Sequence, residues 1–214
     1  MKILVAGSTG LVGKTLIDHY LLKHNVIALS RRSYQFPKNV KCEIVNFNQD
    51  FSLNHADHFF ICLGYPLELF DLIYMRAKIK PEFEKIDYAL VVKLAKMAFD
   101  AGIKNISVIS SVMANKNSFN HYLKIKGEME EEIKKIPFEK INIFRPSHLL
   151  GEREKSIGYD VQIFETATNI FGKFLPPQLK DIKNVEAKTL AKNMANEAFN
   201  DQAGVNYFSN KNFN

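Results

Sequence analysis

The sequence predicts an α/β protein built on a doubly wound parallel sheet with helices on both faces. Three observations predict it. Short, near-continuous apolar runs recur along the chain, as expected of strands covered on both faces. Stretches with helical spacing separate them, the alternation that right-handed crossovers assemble into such a sheet. A glycine-rich turn, Gly7-Ser8-Thr9-Gly10-Leu11-Val12-Gly13, joins the first run to the first helical stretch.

Taken in order, Ile3-Leu4-Val5-Ala6 is the first expected strand, and 11–23 the first helix, with Leu11, Thr15, Ile17, Leu21 and Leu22 spread along it. Strands are expected at 26–29, 43–45 and 58–63. A long helix over 82–101 stops at Gly102, the residue type that most easily takes the left-handed conformation after a helix. A fifth strand covers 106–109, a helix 121–135 ends before Pro137, and a sixth strand covers 141–144. After Arg145-Pro146 the pattern changes: Gly158, Gly172 and Pro176-Pro177 precede a helix near 187–199 and a short run 205–208. Residues 1–214 are thus expected to form one domain, with 146–214 contributing a small C-terminal lobe on the substrate side. No internal repeat or low-complexity stretch is visible.

The chain has 214 residues, 46% hydrophobic and 24% charged, an ordinary globular balance at a length that buries a core without disulfides or a structural metal. Its two cysteines, Cys42 and Cys62, lie in apolar runs rather than a metal-ligand pattern, so a reducing compartment is expected and no metal site. Lysines and arginines exceed acids, 29 to 23. They are scattered, without a basic run or interleaved aromatics, which argues against nucleic acid and suits an anionic small-molecule ligand. Glycines and charges interrupt residues 1–23, unlike a leader or a membrane span. The expectation is a cytoplasmic protein, without a nucleic-acid or membrane partner, with a small-molecule substrate and room for a homo-oligomer.

The chemistry begins at the glycine turn. A strand-to-helix turn that must be tight, and must let its backbone approach a diphosphate, calls for glycine at 7, 10 and 13, and the free N–H groups at the helix start then face the negative charge. Gly7, Ser8, Thr9, Gly10, Leu11, Val12 and Gly13 are therefore candidate cofactor residues. The stretch Ser8 to Thr15 also approaches the P-loop pattern, but Ser8 stands where that loop has glycine, and the fourth run ends in Cys62-Leu63-Gly64 rather than in a metal-binding acid. After the second strand come Ser30-Arg31-Arg32, with no acid until Glu43. Two guanidinium groups there suit a ribose 2′-phosphate, so NADP(H) is favoured over NAD(H).

Tyr122 and Lys126 are spaced to share one helix face. A nearby ammonium favours phenolate over phenol, and such a tyrosine can exchange a proton with a carbonyl oxygen as hydride moves at the nicotinamide. Lys126 would also reach the nicotinamide ribose, and a serine of Ser110-Ser111 would hold the substrate oxygen. The plainer reading makes Tyr122, Ile125, Met129 and Ile133 a core stripe. Gly127 is expected to let this helix sit close to the sheet. Asp87 lies on the apolar side of its helix, ahead of Leu90, Val91, Leu94 and Ala98. A buried acid needs a partner, and a structural role is the expected one.

Together these residues resemble the atypical short-chain dehydrogenase/reductase superfamily, in particular its small NAD(P)H-binding, epimerase-like branch. The resemblance is carried by VAGSTGLVG (5–13), SRR (30–32), ICLG (61–64), KIDYAL (85–90), AGIKNISVISS (101–111), HYLKIKGEMEE (121–131) and FRPSHLLGERE (144–154). It implies a Rossmann fold and a catalytic set of Ser111, Tyr122 and Lys126, with Leu63, Gly64 and Arg145 among the cofactor-binding residues and Arg145-Pro146-Ser147 lining the substrate side. The segment 65–81 is longer and more apolar than in typical relatives and suggests a lid or a subunit contact. The function implied is an NADP(H)-dependent oxidoreductase acting on a small carbonyl or alcohol. The alternative is a dinucleotide-sensing regulatory protein with little turnover.

Overall fold

The computed structural model describes residues 1–49, 51–147, 149–150 and 184–213. The apolar runs become parallel strands: β1 (Lys2–Ala6), β2 (Asn25–Ser30), β3 (Val40–Ile44), β4 (His58–Ile61), β5 (Asn105–Ile109), β6 (Lys140–Arg145) and β9 (Gly204–Ser209) form one sheet in the order β3-β2-β1-β4-β5-β6-β9. A two-residue pair, β7 (Leu149–Leu150) with β8 (Val185–Glu186), stands apart from it. Every pairing in the large sheet is parallel. The strand order reverses between β1 and β4, and the crevice outside their carboxyl ends is where such sheets receive ligands.

The two-residue alternation of a strand sorts the core. Leu4, Ala6, Phe59, Ile61, Ile106 and Val108 pack against α4 (Val91–Asp100) and α5 (His121–Lys134). Ile3, Val5, Val26, Ala28, Phe60 and Phe144 pack on the other face against α1 (Leu11–Tyr20) and α6 (Ala187–Phe199). Alternate residues of one strand thus serve opposite layers, which is why these runs are apolar throughout.

The segment 65–81 folds partly into α2 (Leu69–Ile73), and then α3 (Lys80–Glu84) begins. Its Met75 and Ile79 are buried with Phe83 and Ile125, and Tyr65, Leu67 and Tyr122 pack on that cluster. Phe70, Ile73 and Tyr74 are exposed. Between α3 and α4 the long expected helix contains a π-helical turn, Lys85–Leu90. Such turns insert a residue into the helical register and recur at functional sites. The helix stops as expected, with Gly102 at φ +76°.

One expectation is corrected. Of the tail read as a substrate-side lobe, residues 184–213 instead complete the main architecture: β9 pairs along the whole of β6 and α6 packs against α1. The run 205–208 is too short to reveal its partner, which lies more than 60 residues earlier. The rest of the lobe reading falls on 151–183, outside the described residues. Among the described residues no helix is long and apolar enough to cross a membrane, and no group of three His, Cys, Asp or Glu side chains is placed to hold a metal ion.

Candidate active site

The glycine turn sits at the sheet's reversal point. Gly7 has φ +74°, and a Cβ on it would lie 2.3 Å from the carbonyl oxygen of Cys62 after β4. A Cβ on Gly13 would lie 2.3 Å from the Gly7 oxygen. These two glycines are demanded by the backbone packing of strand, turn and helix. Gly10 differs: its Cβ would meet only the Gly7 oxygen, at 3.2 Å. Gly10 is the N-cap of α1 and supplies no side chain to satisfy the first N–H groups of the helix. Those of Leu11, Val12 and Gly13 have no intrahelical acceptor at this position, so the crevice presents a row of donors that fits a dinucleotide's diphosphate. Ser8 is buried and its hydroxyl donates to Leu29 O at 2.9 Å, pinning the turn to β2; Thr9 is half-buried beside it. The Cys62 thiol next to the turn is pushed up to about 12 by burial, which keeps it protonated at neutral pH.

At the end of β2, the Ser30 hydroxyl donates to Arg32 O at 2.7 Å, folding the chain back so that Arg31 and Arg32 stand exposed. Neither pairs with a carboxylate among the described residues. Both stand one strand away from the glycine turn, on the side where a dinucleotide's adenosine ribose lies in this architecture.

Tyr122 and Lys126 occupy the first turns of α5. Asn120 caps that helix, accepting from Leu123 N at 3.0 Å, while its amide donates to Leu72 O and Ile73 O at 2.8 and 3.0 Å. The end of α2 is thereby tied to the start of the helix that carries Tyr122. The Tyr122 ring packs 5.6 Å from that of Phe83. Lys126 is buried, its ammonium 2.7 Å from Asp87 Oδ1 and 3.4 Å from Ile109 O at the end of β5. Burial works against that ammonium, but the Asp87 carboxylate, helped by Tyr122 and Glu130, more than offsets it and raises its pKa. Gly127 does not bring the helix to the sheet as expected. Its absent Cβ would lie 2.2 Å from Lys116 N and 2.3 Å from Asn115 C, so it admits the loop that follows β5.

The two serines differ in their hydrogen bonding. Ser111 donates its hydroxyl to its own neighbour, Val112 O, at 3.1 Å. Ser110 is 3% exposed and its hydroxyl has no hydrogen-bond partner among the described residues. The ladder continues past β5, with Ser110 N bonded to Phe144 O and Val112 N to Pro146 O. Ser110 therefore continues the side of Ile106 and Val108, the face that α5 covers, and holds the unspent hydroxyl. Parity along the strand could have signalled this. Met113, two residues on, has φ 62° and is exposed, a backbone conformation that costs a non-glycine residue free energy.

Leu63 and Gly64 follow β4: Leu63 packs on the core edge, and a Cβ on Gly64 would be 3.8 Å from Asp87 Oδ1. Arg145 is already paired with a carboxylate. Its guanidinium makes a two-pronged bond to the buried Glu130, at 2.9 and 2.5 Å, and lies 4.5 Å over the Tyr207 ring. The sequence could not show this, because Glu130 and Tyr207 come from α5 and β9.

The model of the NAD dependent epimerase/dehydratase family matches residues 3–153. The chain is 29% identical to the mitochondrial protein FMP52 of Candida albicans over 209 residues, 94% of this chain and 91% of that one. It is 42% identical to mitochondrial FMP52 of Debaryomyces hansenii over 88 residues, which are 41% of this chain and 39% of that protein. Protein HTATIP2 of Rattus norvegicus is 30% identical over 167 residues, 72% of this chain and 65% of the other. Against the last two the match spans less than two thirds of the relative's length. UDP-glucuronic acid 4-epimerase from Bacillus cereus, solved with NAD, superposes with a TM-score of 0.70 at 13% identity over 98% of this chain and 77% of that one. MoeE5, solved with UDP-glucose and NAD, gives 0.69 at 14% identity over 97% and 75%. These two show the fold. The mitochondrial names of the FMP52 relatives overturn the expected cytoplasmic location. That expectation rested on the absence of a recognisable leader, and neither the sheet nor the crevice reports a compartment.

Proposed function

The chain belongs to the NAD dependent epimerase/dehydratase family, and from that premise we propose that it is an NADP(H)-dependent oxidoreductase acting on a small carbonyl or alcohol. One observation supports this above the others. A buried ammonium, Lys126, is held at the carboxyl end of β5 with Tyr122 one helical turn before it, on the sheet edge that carries the glycine turn.

A bound nicotinamide dinucleotide supplies or accepts the hydride. The chain's own residues do the rest. The N–H groups of Leu11, Val12 and Gly13 bind the diphosphate, and Arg31 and Arg32 bind the 2′-phosphate. Lys126 has three ammonium protons; two are engaged by Asp87 and Ile109 O, and the third is available to the nicotinamide ribose. Ser110 holds the substrate oxygen. Tyr122 gives that oxygen a proton on reduction and takes it back on oxidation.

The test is calorimetric and kinetic. Wild-type protein binds NADPH more tightly than NADH, and Arg31→Ala with Arg32→Ala weakens NADPH about 10- to 100-fold, the worth of lost charge-assisted bonds, with little change for NADH. Neither dinucleotide binding would refute the proposal. A panel of aldehydes and ketones then reads turnover, which Tyr122→Phe abolishes. The second reading, a dinucleotide sensor, draws on the pairing of Arg145 with Glu130, which partly neutralises a cation expected on the substrate side. Under that reading NADPH binds and no carbonyl is turned over.

A further inference from the structure

Asp87 touches two separate parts of the candidate cofactor site. Oδ1 is 2.7 Å from Lys126 Nζ, with side-chain exposures of 3% and 4%. Oδ2 accepts the Tyr65 backbone N–H at 2.6 Å, and Gly64 runs alongside. One carboxylate therefore binds the ammonium from α5 and the backbone that leaves β4. It reaches both from the π-helical turn.

From this we infer that Asp87 is the positioning residue of the dinucleotide site: it keeps Lys126 charged and aimed at the nicotinamide ribose, and it holds the Leu63-Gly64-Tyr65 loop beside the ring. The inference rests on the proposed cofactor reading and extends it to a residue outside the Ser/Tyr/Lys set.

The physical need is direct. A buried, unpaired ammonium sheds its proton, because burial disfavours the charged form. Asp87 is the carboxylate bonded to Lys126. Glu130, one turn along α5, is engaged by Arg145 of β6. Tyr122 lies one turn back on the same helix, and from the β4 side the loop presents the Tyr65 backbone N–H rather than a charge. Replacing Asp87 by Asn keeps the shape and the Tyr65 contact but removes the only negative charge in direct contact with Lys126 among the described residues. The ammonium would then titrate at lower pH, and its hold on the ribose would fade as pH rises.

The test is NADPH affinity by calorimetry from pH 6.5 to 9.5 on the full chain. Wild type gives a nearly flat profile over that range. Asp87→Asn weakens NADPH about tenfold, and the weakening grows with pH. In a Lys126→Met background the same substitution changes affinity less than about twofold, since the interaction that it perturbs is already gone. A merely structural Asp87 gives a pH-independent loss that adds to that of Lys126→Met, and this result overturns the inference. If Asp87→Asn does not fold, Asp87→Glu carries the test: the charge is kept but displaced, NADPH weakens at least about threefold, and an unchanged affinity overturns the inference. Failure of wild type to bind either dinucleotide refutes the cofactor reading instead, so the two failures are distinguishable.

Discussion

Acid should loosen this fold through His58, far from the crevice. The ring is fully buried at the start of β4, its Nε2 2.9 Å from Ser107 Oγ and its Nδ1 without a partner among the described residues. Burial, with a smaller push from Lys140, lowers its pKa from 6.5 to about 3. A histidine whose folded pKa is depressed stabilises the fold fully above its unfolded value near 6.5, and that contribution drains away as pH falls towards 3. At pH 4.5 the unfolded ring is charged while the folded ring is still neutral. The gap from 6.5 is two units, worth about 2.7 kcal/mol at 1.36 kcal/mol per unit. That is a large part of a typical total of about 5–15 kcal/mol. The perturbation is His58→Phe with Ser107→Ala, which removes the titration without leaving the serine hydroxyl unpaired. Urea unfolding followed by circular dichroism at pH 7, 6, 5 and 4.5 reads the difference. Wild type should lose about 2.7 kcal/mol more than the double variant over this range. Parallel loss in both proteins would refute the argument.

Two further outcomes follow from packing. Arg145→Met strands the buried Glu130 carboxylate and should cost about 3 kcal/mol in chemical denaturation, most of it recovered by adding Glu130→Gln; an equal loss in the double variant would show that the pair is not the cause. Gly127→Ala places a methyl 2.2 Å from Lys116 N, so α5 or the loop after β5 must move, and the thermal midpoint should fall by several degrees; an unchanged midpoint would mean that the loop yields freely.

Elements governed by near neighbours were legible in the sequence. The helix Ala187–Phe199 appears at its expected bounds, because its apolar spacing is unbroken, and Gly102 stops the long helix as glycine does. What could not be read depends on partners distant in the chain. Arg145 finds Glu130 on α5 and Tyr207 on β9. The run 205–208 finds β6, and no local pattern announces the neighbour of an outer strand. Asp87 was recognisable as a buried acid in need of a partner. The partner itself, Lys126, emerges only when the π-helical turn and α5 are in register. The choice between Ser110 and Ser111 turned on strand parity beyond the end of β5. A family resemblance favours Ser111 there, while the hydroxyl without a partner among the described residues is that of Ser110.

The three glycines of the turn are not equal witnesses to a cofactor. Gly7 and Gly13 would be glycine in an empty protein, since a Cβ on either would collide with backbone at 2.3 Å. Their presence argues for a tight strand–turn–helix and for nothing bound to it. Gly10 has φ −77° and ψ 166°, a conformation open to any residue, and its Cβ would press only on the Gly7 oxygen at 3.2 Å. Packing tolerates alanine there with a shift of a few tenths of an ångström, so a ligand approaching the backbone is the better reason for glycine. Gly10→Ala should then leave the folded spectrum and the urea midpoint close to wild type while weakening NADPH at least about tenfold, because the methyl stands between the diphosphate and the first N–H groups of α1. Wild-type affinity in a folded Gly10→Ala protein would mean that the dinucleotide, if bound, does not lie against this turn.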